Sequence, residues 1–396
     1  MSARSHVRSR SRARLRLTVA GLAASAALAG LVQPAQATGT PTPPDASLQK
    51  QLDDLVRTAG GPPGVISVLQ RGERTTVLRA GVADTETGRP PRATDHMRIA
   101  SVAKAFSGAV ALRLVDRHQL DLDDTIGEIL PSQPVAWHEV TLRQLLNHTS
   151  GLPDFSQAPA FLEVLQADPR HRFDSRRLLD YVADKPLDFP PGSKYVYSNS
   201  DNIAVALMAE AVTGRPYERL LDRLVYRPLD LRRTSLPQGY RLPRPYLHGY
   251  DVIPPAPPED ISEAIGASGV WASGGIVSTP KDLNAFVRAW AGGPHFLSER
   301  TRREQRTFIP GAASEPAGPG VNSGGLAVFR YQTRCGTVYG HTGNFPGYTQ
   351  FAAATADGRR SLTFSITTQT SKTAKPELLA KVRAVQEDFV CALLRH

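Results

Sequence analysis

Lysine is the scarce residue in this chain: 8 Lys stand against 39 Arg among 396 residues. Where only a positive charge is needed, the sequence uses Arg. Arg does not give up its proton in practice, whereas a desolvated Lys can, so a Lys inside an apolar segment is a marked choice. Cysteine is rarer still, with two in all, which excludes both a disulfide scaffold and a thiolate zinc cluster. The ten His are scattered and no H-E-x-x-H occurs, so no metal or cofactor is expected. There is no G-x-S-x-G elbow and no internal repeat. Interleaved Arg and aromatic residues of the RNA-binding kind are absent, so no nucleic-acid partner is expected.

What is present begins with a basic front, Arg4, Arg8, Arg10, Arg12, Arg14 and Arg16, followed by an apolar run from Leu17 to Val32 and by Ala35-Gln36-Ala37. That order reads as a secretory signal peptide over 1–37 with a small-x-small cleavage site. The run is shorter than the ~20 apolar residues a membrane span needs, and no second run follows. Removing those six Arg from a net charge of +10 leaves +4, a mild balance. The mature protein is expected to be secreted, soluble and monomeric. In that compartment Cys335 and Cys391 read as one disulfide.

Residues 38–47 form a Pro-rich lead-in to a single domain over 48–396. Leu48, Leu52, Leu55 and Val56 follow helical spacing. G-V-I-S-V-L-Q and T-T-V-L-R-A-G-V read as two strands around a turn at Arg71-Gly72-Glu73, and a strongly apolar helix runs from Ala100 to about Asp116. From about 117 to 270 helical patterns alternate with Pro-rich loops; T-L-R-Q-L-L-N-H, R-R-L-L-D-Y-V and Y-E-R-L-L-D-R-L are among them. The end returns to strand patterns in G-L-A-V-F-R-Y, C-G-T-V-Y-G-H, Y-T-Q-F-A-A-A-T and S-L-T-F-S-I-T-T, closed by a helix from Glu377 to about Leu394. The expected fold is α/β of the α+β type: one antiparallel sheet built from both chain ends, covered by helices, with a helical insertion and a site in the crevice between the two.

S-x-x-K occurs three times, at Ser47–Lys50, Ser101–Lys104 and Ser278–Lys281. Only Ser101–Lys104 opens a buried helix. Positions i and i+3 share a helix face, so the Lys nitrogen can reach the Ser oxygen, and a nucleophilic Ser needs such a base. Two further stretches carry chemistry. Tyr197-Ser198-Asn199 lies in a loop before a helix, where a Tyr hydroxyl can relay a proton and an Asn amide can orient a substrate carbonyl. His341-Thr342-Gly343 closes a strand, with small residues that let a substrate backbone approach its edge. His148-Thr149-Ser150-Gly151 reads instead as a helix end with its following loop.

In that order and at those separations, Ser101-Val-Ala-Lys104, Tyr197-Ser-Asn199 and His341-Thr-Gly343 resemble the serine β-lactamase and D,D-peptidase superfamily, in its class C branch. M-R-I-A-S-V-A-K and L-L-N-H-T-S-G-L-P add to the likeness, and the C-terminal part is similar to secreted D-alanyl-D-alanine carboxypeptidases. The resemblance implies a β-lactamase/transpeptidase-like fold. It implies that Ser101 is the nucleophile and that Lys104 and Tyr197 share the general-base work. Asn199 would steady the substrate amide, and His341, Thr342 and Gly343 would line the edge strand. The backbone N–H groups of Ser101 and Asn344 would form the oxyanion hole.

β-Lactamases of the family carry Lys where this chain has His341, which makes efficient antibiotic hydrolysis less expected. An Arg on the preceding strand would hold a terminal carboxylate; Arg330 is nearby, with Phe329 closer to that register. The expected activity is D-alanyl-D-alanine carboxypeptidase on peptidoglycan peptides, with β-lactams as acylating ligands. An esterase or D-aminopeptidase acting on small acyl substrates, a weak β-lactamase, and a non-catalytic penicillin- or peptidoglycan-binding module are the alternatives. The leader reading fixes the mature N-terminus at Thr38; Edman sequencing of culture supernatant should begin T-G-T-P, and an intact Met1 in a membrane fraction would contradict it.

Overall fold

A computed structural model describes residues 43–293 and 295–395. The segment 1–37, expected to be a leader, the expected cleavage site and the first part of the lead-in lie outside the described residues. The lead-in gives way to structure sooner than its prolines imply: helix α1 spans Pro43–Arg57, because Pro is compatible with a first helical turn, where its missing N–H costs nothing.

The sheet has eight antiparallel strands. In chain order they are β1 (Gly64–Arg71), β2 (Arg74–Gly81), β3 (Ile309–Pro310), β4 (Val321–Gly324), β5 (Phe329–Thr333), β6 (Gly336–Phe345), β7 (Tyr348–Ala354) and β8 (Arg360–Ile366). Their spatial order is β2-β1-β8-β7-β6-β5-β4-β3. The N-terminal hairpin thus docks on the last strand. Every residue of β7 is buried, as a strand covered on both faces requires. One face packs on α1 and on α5 (Pro376–Leu394), through Leu48, Leu52 and Leu55 on one side and Leu378, Val382 and Phe389 on the other. The other face packs on α4 (Pro280–Gly292) and on the turn Ala100–Val102 that leads into α2 (Ala103–Val115).

Helix α2 is buried at 11 positions from Ala103 to Leu114. A helix apolar all round belongs in a core. Its Phe106 stacks on Phe286 of α4 with ring centroids 3.6 Å apart; each such buried ring contributes roughly 1.5–3 kcal/mol. Beyond it lie α3 (Asn199–Thr213), shorter helices and two-residue strand pairs. R-R-L-L-D-Y-V lies in a 3-10 turn, Ser175–Val182, rather than an α-helix, and Y-E-R-L-L-D-R-L passes from α-helix into a π-helical turn at Asp222. Among the described residues no helix is long and apolar enough to cross a membrane.

Two strand readings change. G-L-A-V-F-R-Y is not a strand throughout: Gly325–Val328 is the loop of the β4–β5 hairpin, closed by Gly324 opposite Phe329. Its Leu326, Ala327 and Val328 are apolar because the loop is buried against α2. Ala327 sits at φ +52°, and a Cβ on Gly108 of α2 would meet the Ala327 Cβ at 2.2 Å. The strand begun by C-G-T-V-Y-G-H runs on to Phe345, so His341 is within β6 rather than at its end.

Cys335, in the β5–β6 turn, is bonded to Cys391 of α5, with Cα atoms 5.1 Å apart and a separation of 56 positions in sequence. Arg334 beside it pairs with Glu387 and Asp388 of the same helix. Closing a loop of that length contributes roughly 2–4 kcal/mol. Thermal unfolding with and without reductant should show the oxidised protein more stable by that order; identical midpoints would contradict it.

Candidate active site

Ser101 lies in a 3-10 turn, Ala100–Val102, that feeds directly into α2. The residue before it, Ala100, is held at φ +52°, a costly conformation for a side chain with a Cβ. What fixes it is the surrounding packing: the Ile99 N–H donates to the Ile276 carbonyl, and β6 presses on the turn. A Cβ on Gly343 would meet the Ile99 carbonyl at 2.5 Å and the Ser101 nitrogen at 3.1 Å. Only glycine lets the strand come this near the serine.

Lys104 Nζ is 3.3 Å from Ser101 Oγ. It also donates to Asn199 Oδ1 at 2.7 Å and to the Ser273 carbonyl at 2.9 Å. All three acceptors are neutral oxygens. The side chain is 0% exposed, and burial pushes its pKa from 10.5 down to about 7, opposed by the carboxylates of Asp154 and Asp201. The Tyr197 ring faces Nζ, 4.9 Å from its centroid. Burial pushes the Tyr197 phenol well up, so it stays protonated, and Ser101 counters part of that push. The Tyr197 hydroxyl is nonetheless buried without a hydrogen-bond partner among the described residues.

Asn199 is the first residue of α3 and Ser198 its cap. The Asn199 amide does not present a free donor to the crevice: its Nδ2 donates to Asp154 Oδ2 and Ser156 Oγ. Its expected role in holding the substrate amide therefore has no N–H to serve it.

Strand β6 pairs with β5 only as far as Gly340. From His341 to Phe345 it pairs with β7 alone among the strands, which leaves the other side of that stretch unpaired by any strand. Thr342 Oγ1 donates to the Pro316 carbonyl at 2.6 Å and lies 2.5 Å from Ser314 Oγ. Asn344 spends its side chain on Thr349 and Thr370, so only its backbone is available to a ligand. His341 is 1% exposed. Its Nδ1 is 2.5 Å from the Thr342 carbonyl; a carbonyl only accepts, so Nδ1 carries the proton. Burial pushes the His341 pKa to about 3, which makes the ring neutral.

Arg330 does not join the site. Its guanidinium donates to Ser323 Oγ at 3.2 Å and lies over the Phe308 ring, on the part of the sheet that pairs with Tyr339. Of the other S-x-x-K pairs, Ser47–Lys50 is exposed on α1, and Lys281 is exposed at the start of α4.

The H-T-S-G stretch is more than a helix end. His148, at φ +60°, places its ring 4.6 Å from that of Tyr197. Its Nδ1 lies 2.7 Å from Asp201 Oδ2, and Ser150 Oγ donates to Asp201 Oδ1 at 2.5 Å. Burial pushes His148 down to about 3 and pushes Asp201 well up, so this pair packs behind Tyr197 without a net charge. Asp154, Ser156, Asp201 and Ser273 were not singled out from sequence, and His148 was read only as part of a helix end. A polar run, H-T-S-G-L-P-D, between two apolar elements was the signal for Asp154; nothing local marked Ser273, which acts through its carbonyl.

The site therefore assembles a serine, a buried amine, a phenol and a strand edge from three separate stretches. Residues 48–387 match the family model described as Beta-lactamase. The esterase EstB of Burkholderia gladioli is 30% identical over 330 residues, 70% of this chain and 81% of that protein. Penicillin-binding protein 4* of Bacillus subtilis is 24% identical over 331 residues, 80% of this chain and 71% of that protein. Among solved structures, a D-amino acid amidase from Ochrobactrum anthropi SV3 superposes with a TM-score of 0.76 at 25% identity, covering 89% of this chain and 99% of that one. By these likenesses the chain belongs to the Beta-lactamase family of serine hydrolases.

Proposed function

We propose that this protein is an exported serine hydrolase that forms an acyl-enzyme at Ser101 and acts on amide or ester bonds of small D-amino-acyl substrates. The observation that carries the reading is the buried Lys104 amine 3.3 Å from Ser101 Oγ with its pKa near 7. In its free-base form Lys104 takes the hydroxyl proton as Oγ attacks the substrate carbonyl. The oxyanion forms against the Ser101 and Asn344 N–H groups. The proton passes through Lys104 and the Tyr197 hydroxyl to the leaving nitrogen or oxygen as the C–N or C–O bond breaks. Water then adds to the acyl-enzyme, gives up its proton by the reverse route and restores Ser101.

Two features favour this substrate class over the D-alanyl-D-alanine peptide. Arg330, the expected holder of a terminal carboxylate, is turned to Ser323 and Phe308. His341, being neutral, supplies no cation in its place. The similarity to EstB and to a D-amino acid amidase points the same way. The similarity to penicillin-binding protein 4* keeps carboxypeptidase activity, and acylation by β-lactams, as the second reading.

A fluorophosphonate probe should label wild-type protein at Ser101 and leave Ser101→Ala unlabelled. D-Phenylalanine amide and p-nitrophenyl esters should be hydrolysed with higher kcat/KM than an acyl-D-Ala-D-Ala peptide; the opposite order would establish the carboxypeptidase instead. Lys104→Arg keeps the charge but not the ability to deprotonate. With near-wild-type thermal unfolding, it should acylate at least ~100-fold more slowly, the low end for positioned proton transfer. A folded Lys104→Arg protein with an unchanged acylation rate would return Lys104 to a structural cation.

A further inference from the structure

The bonds of Asn199 are fully accounted for. Its Oδ1 accepts from Lys104 Nζ at 2.7 Å. Its Nδ2 donates one proton to Asp154 Oδ2 at 3.0 Å and the other to Ser156 Oγ at 2.9 Å. A primary amide has two donors, and both are spent. The amide cannot turn over either. Reversed, its oxygen would face the Asp154 carboxylate, acceptor against acceptor, and Lys104 Nζ would lose its nearest acceptor.

Asp154 is as fully engaged. Its Oδ2 accepts from the Asn199 N–H at 3.1 Å and from Nδ2. Its Oδ1 accepts from the Ser156 N–H at 2.9 Å and the Ser156 hydroxyl at 2.8 Å. Four donors fill the sites of one carboxylate, leaving it none for a substrate. Yet it lies close enough to Lys104 to be the strongest influence opposing the loss of the Lys104 proton.

We propose that Asp154, with Ser156, is a positioning residue of the reaction: it locks the Asn199 amide with its oxygen on Lys104 and so fixes Nζ against Ser101. The proposal rests on the reading of Lys104 as the base. The plainer role is capping, since Asp154 caps the 3-10 turn Phe155–Gln157 and receives the first N–H of α3. Capping and positioning separate on one point. Asn and Ser serve about as well as Asp at a cap, but neither carries the charge, and Asn can accept either orientation of the Asn199 amide.

The groups facing Lys104 are few. They are Asp154 and the Asn199 amide, Asp201 of α3, His148 and Tyr197 from the loops, and His341 of β6. His148, Tyr197 and His341 are neutral, and burial pushes Asp201 toward its neutral form. Removing the Asp154 charge therefore lowers the affinity of Lys104 for its proton, and a flipped Asn199 amide, offering N–H to a free amine, lowers it further.

The test is the pH profile of kcat/KM on a p-nitrophenyl ester, with thermal unfolding, for wild type, Asp154→Asn, Asp154→Ser and Ser156→Ala. Both Asp154 variants should fold with nearly wild-type midpoints. Their acid limb should move about 1 pH unit lower, as loss of a neighbouring opposite charge implies. Their plateau should fall about tenfold or more through misplacement of the base. Ser156→Ala should keep the limb in place with a smaller loss. Folded Asp154 variants whose acid limb stays where wild type has it would overturn the proposal and leave Asp154 a cap. A wild-type profile with no limb near pH 7 would remove the base itself, and the proposal with it.

Discussion

Lys104 is buried against three neutral oxygens, with no carboxylate of the described residues in direct contact. An ammonium group so placed is expensive, and the fall in its pKa to about 7 corresponds to roughly 5 kcal/mol of lost preference for the charged form. A carboxylate in direct contact would remove that cost and remove the base with it. The site keeps its carboxylates one step away: Asp154 reaches Lys104 through the Asn199 amide, and Asp201 is occupied by His148 and Ser150. The neutral oxygens hold the nitrogen in place without fixing its proton.

The rest of the fold serves that arrangement. Helix α2 is buried on nearly all sides: it sits between α4 and the helical region around α3, and the turn that precedes it lies against β6 and β7. Gly343 lets β6 touch that turn, and Ala100 takes a left-handed conformation to aim Ser101. Trp271 at φ +30° begins the short helix Trp271–Gly274 that offers the Ser273 carbonyl. His148, the decoy of the sequence, is a third strained residue in the same crevice. Among the described residues, three of the six non-glycine residues with positive φ thus border the site, strain that the large core beneath it can carry.

The outline of this molecule was legible because its strongest signals are periodic or chemically rare. The buried helix after Ser101, the two terminal groups of strands and the pairing of Cys335 with Cys391 follow from pattern. So does the burial of Lys104, where the lysines of the other two S-x-x-K pairs are exposed. What was not legible depends on contacts. G-L-A-V-F-R-Y looks like a strand because apolarity reports burial, and the β4–β5 hairpin loop is buried. The Asn199 amide was expected to face substrate; only the positions of Asp154 and Ser156, 45 and 43 residues away in sequence, reveal that its donors are spent. Arg330 had the right charge near the right register, and its parity on β5 turned it elsewhere.

The protonation of Lys104 is the most direct point of attack. With only 8 Lys in the chain, ¹⁵N-lysine labelling gives few Nζ resonances, and the signal missing from Lys104→Arg assigns the one that matters. Followed against pH, that resonance should titrate near pH 7 in the wild type. A Lys104 signal that holds its proton to pH 10 would contradict the account, since the amine beside Ser101 would then be a fixed charge and no base.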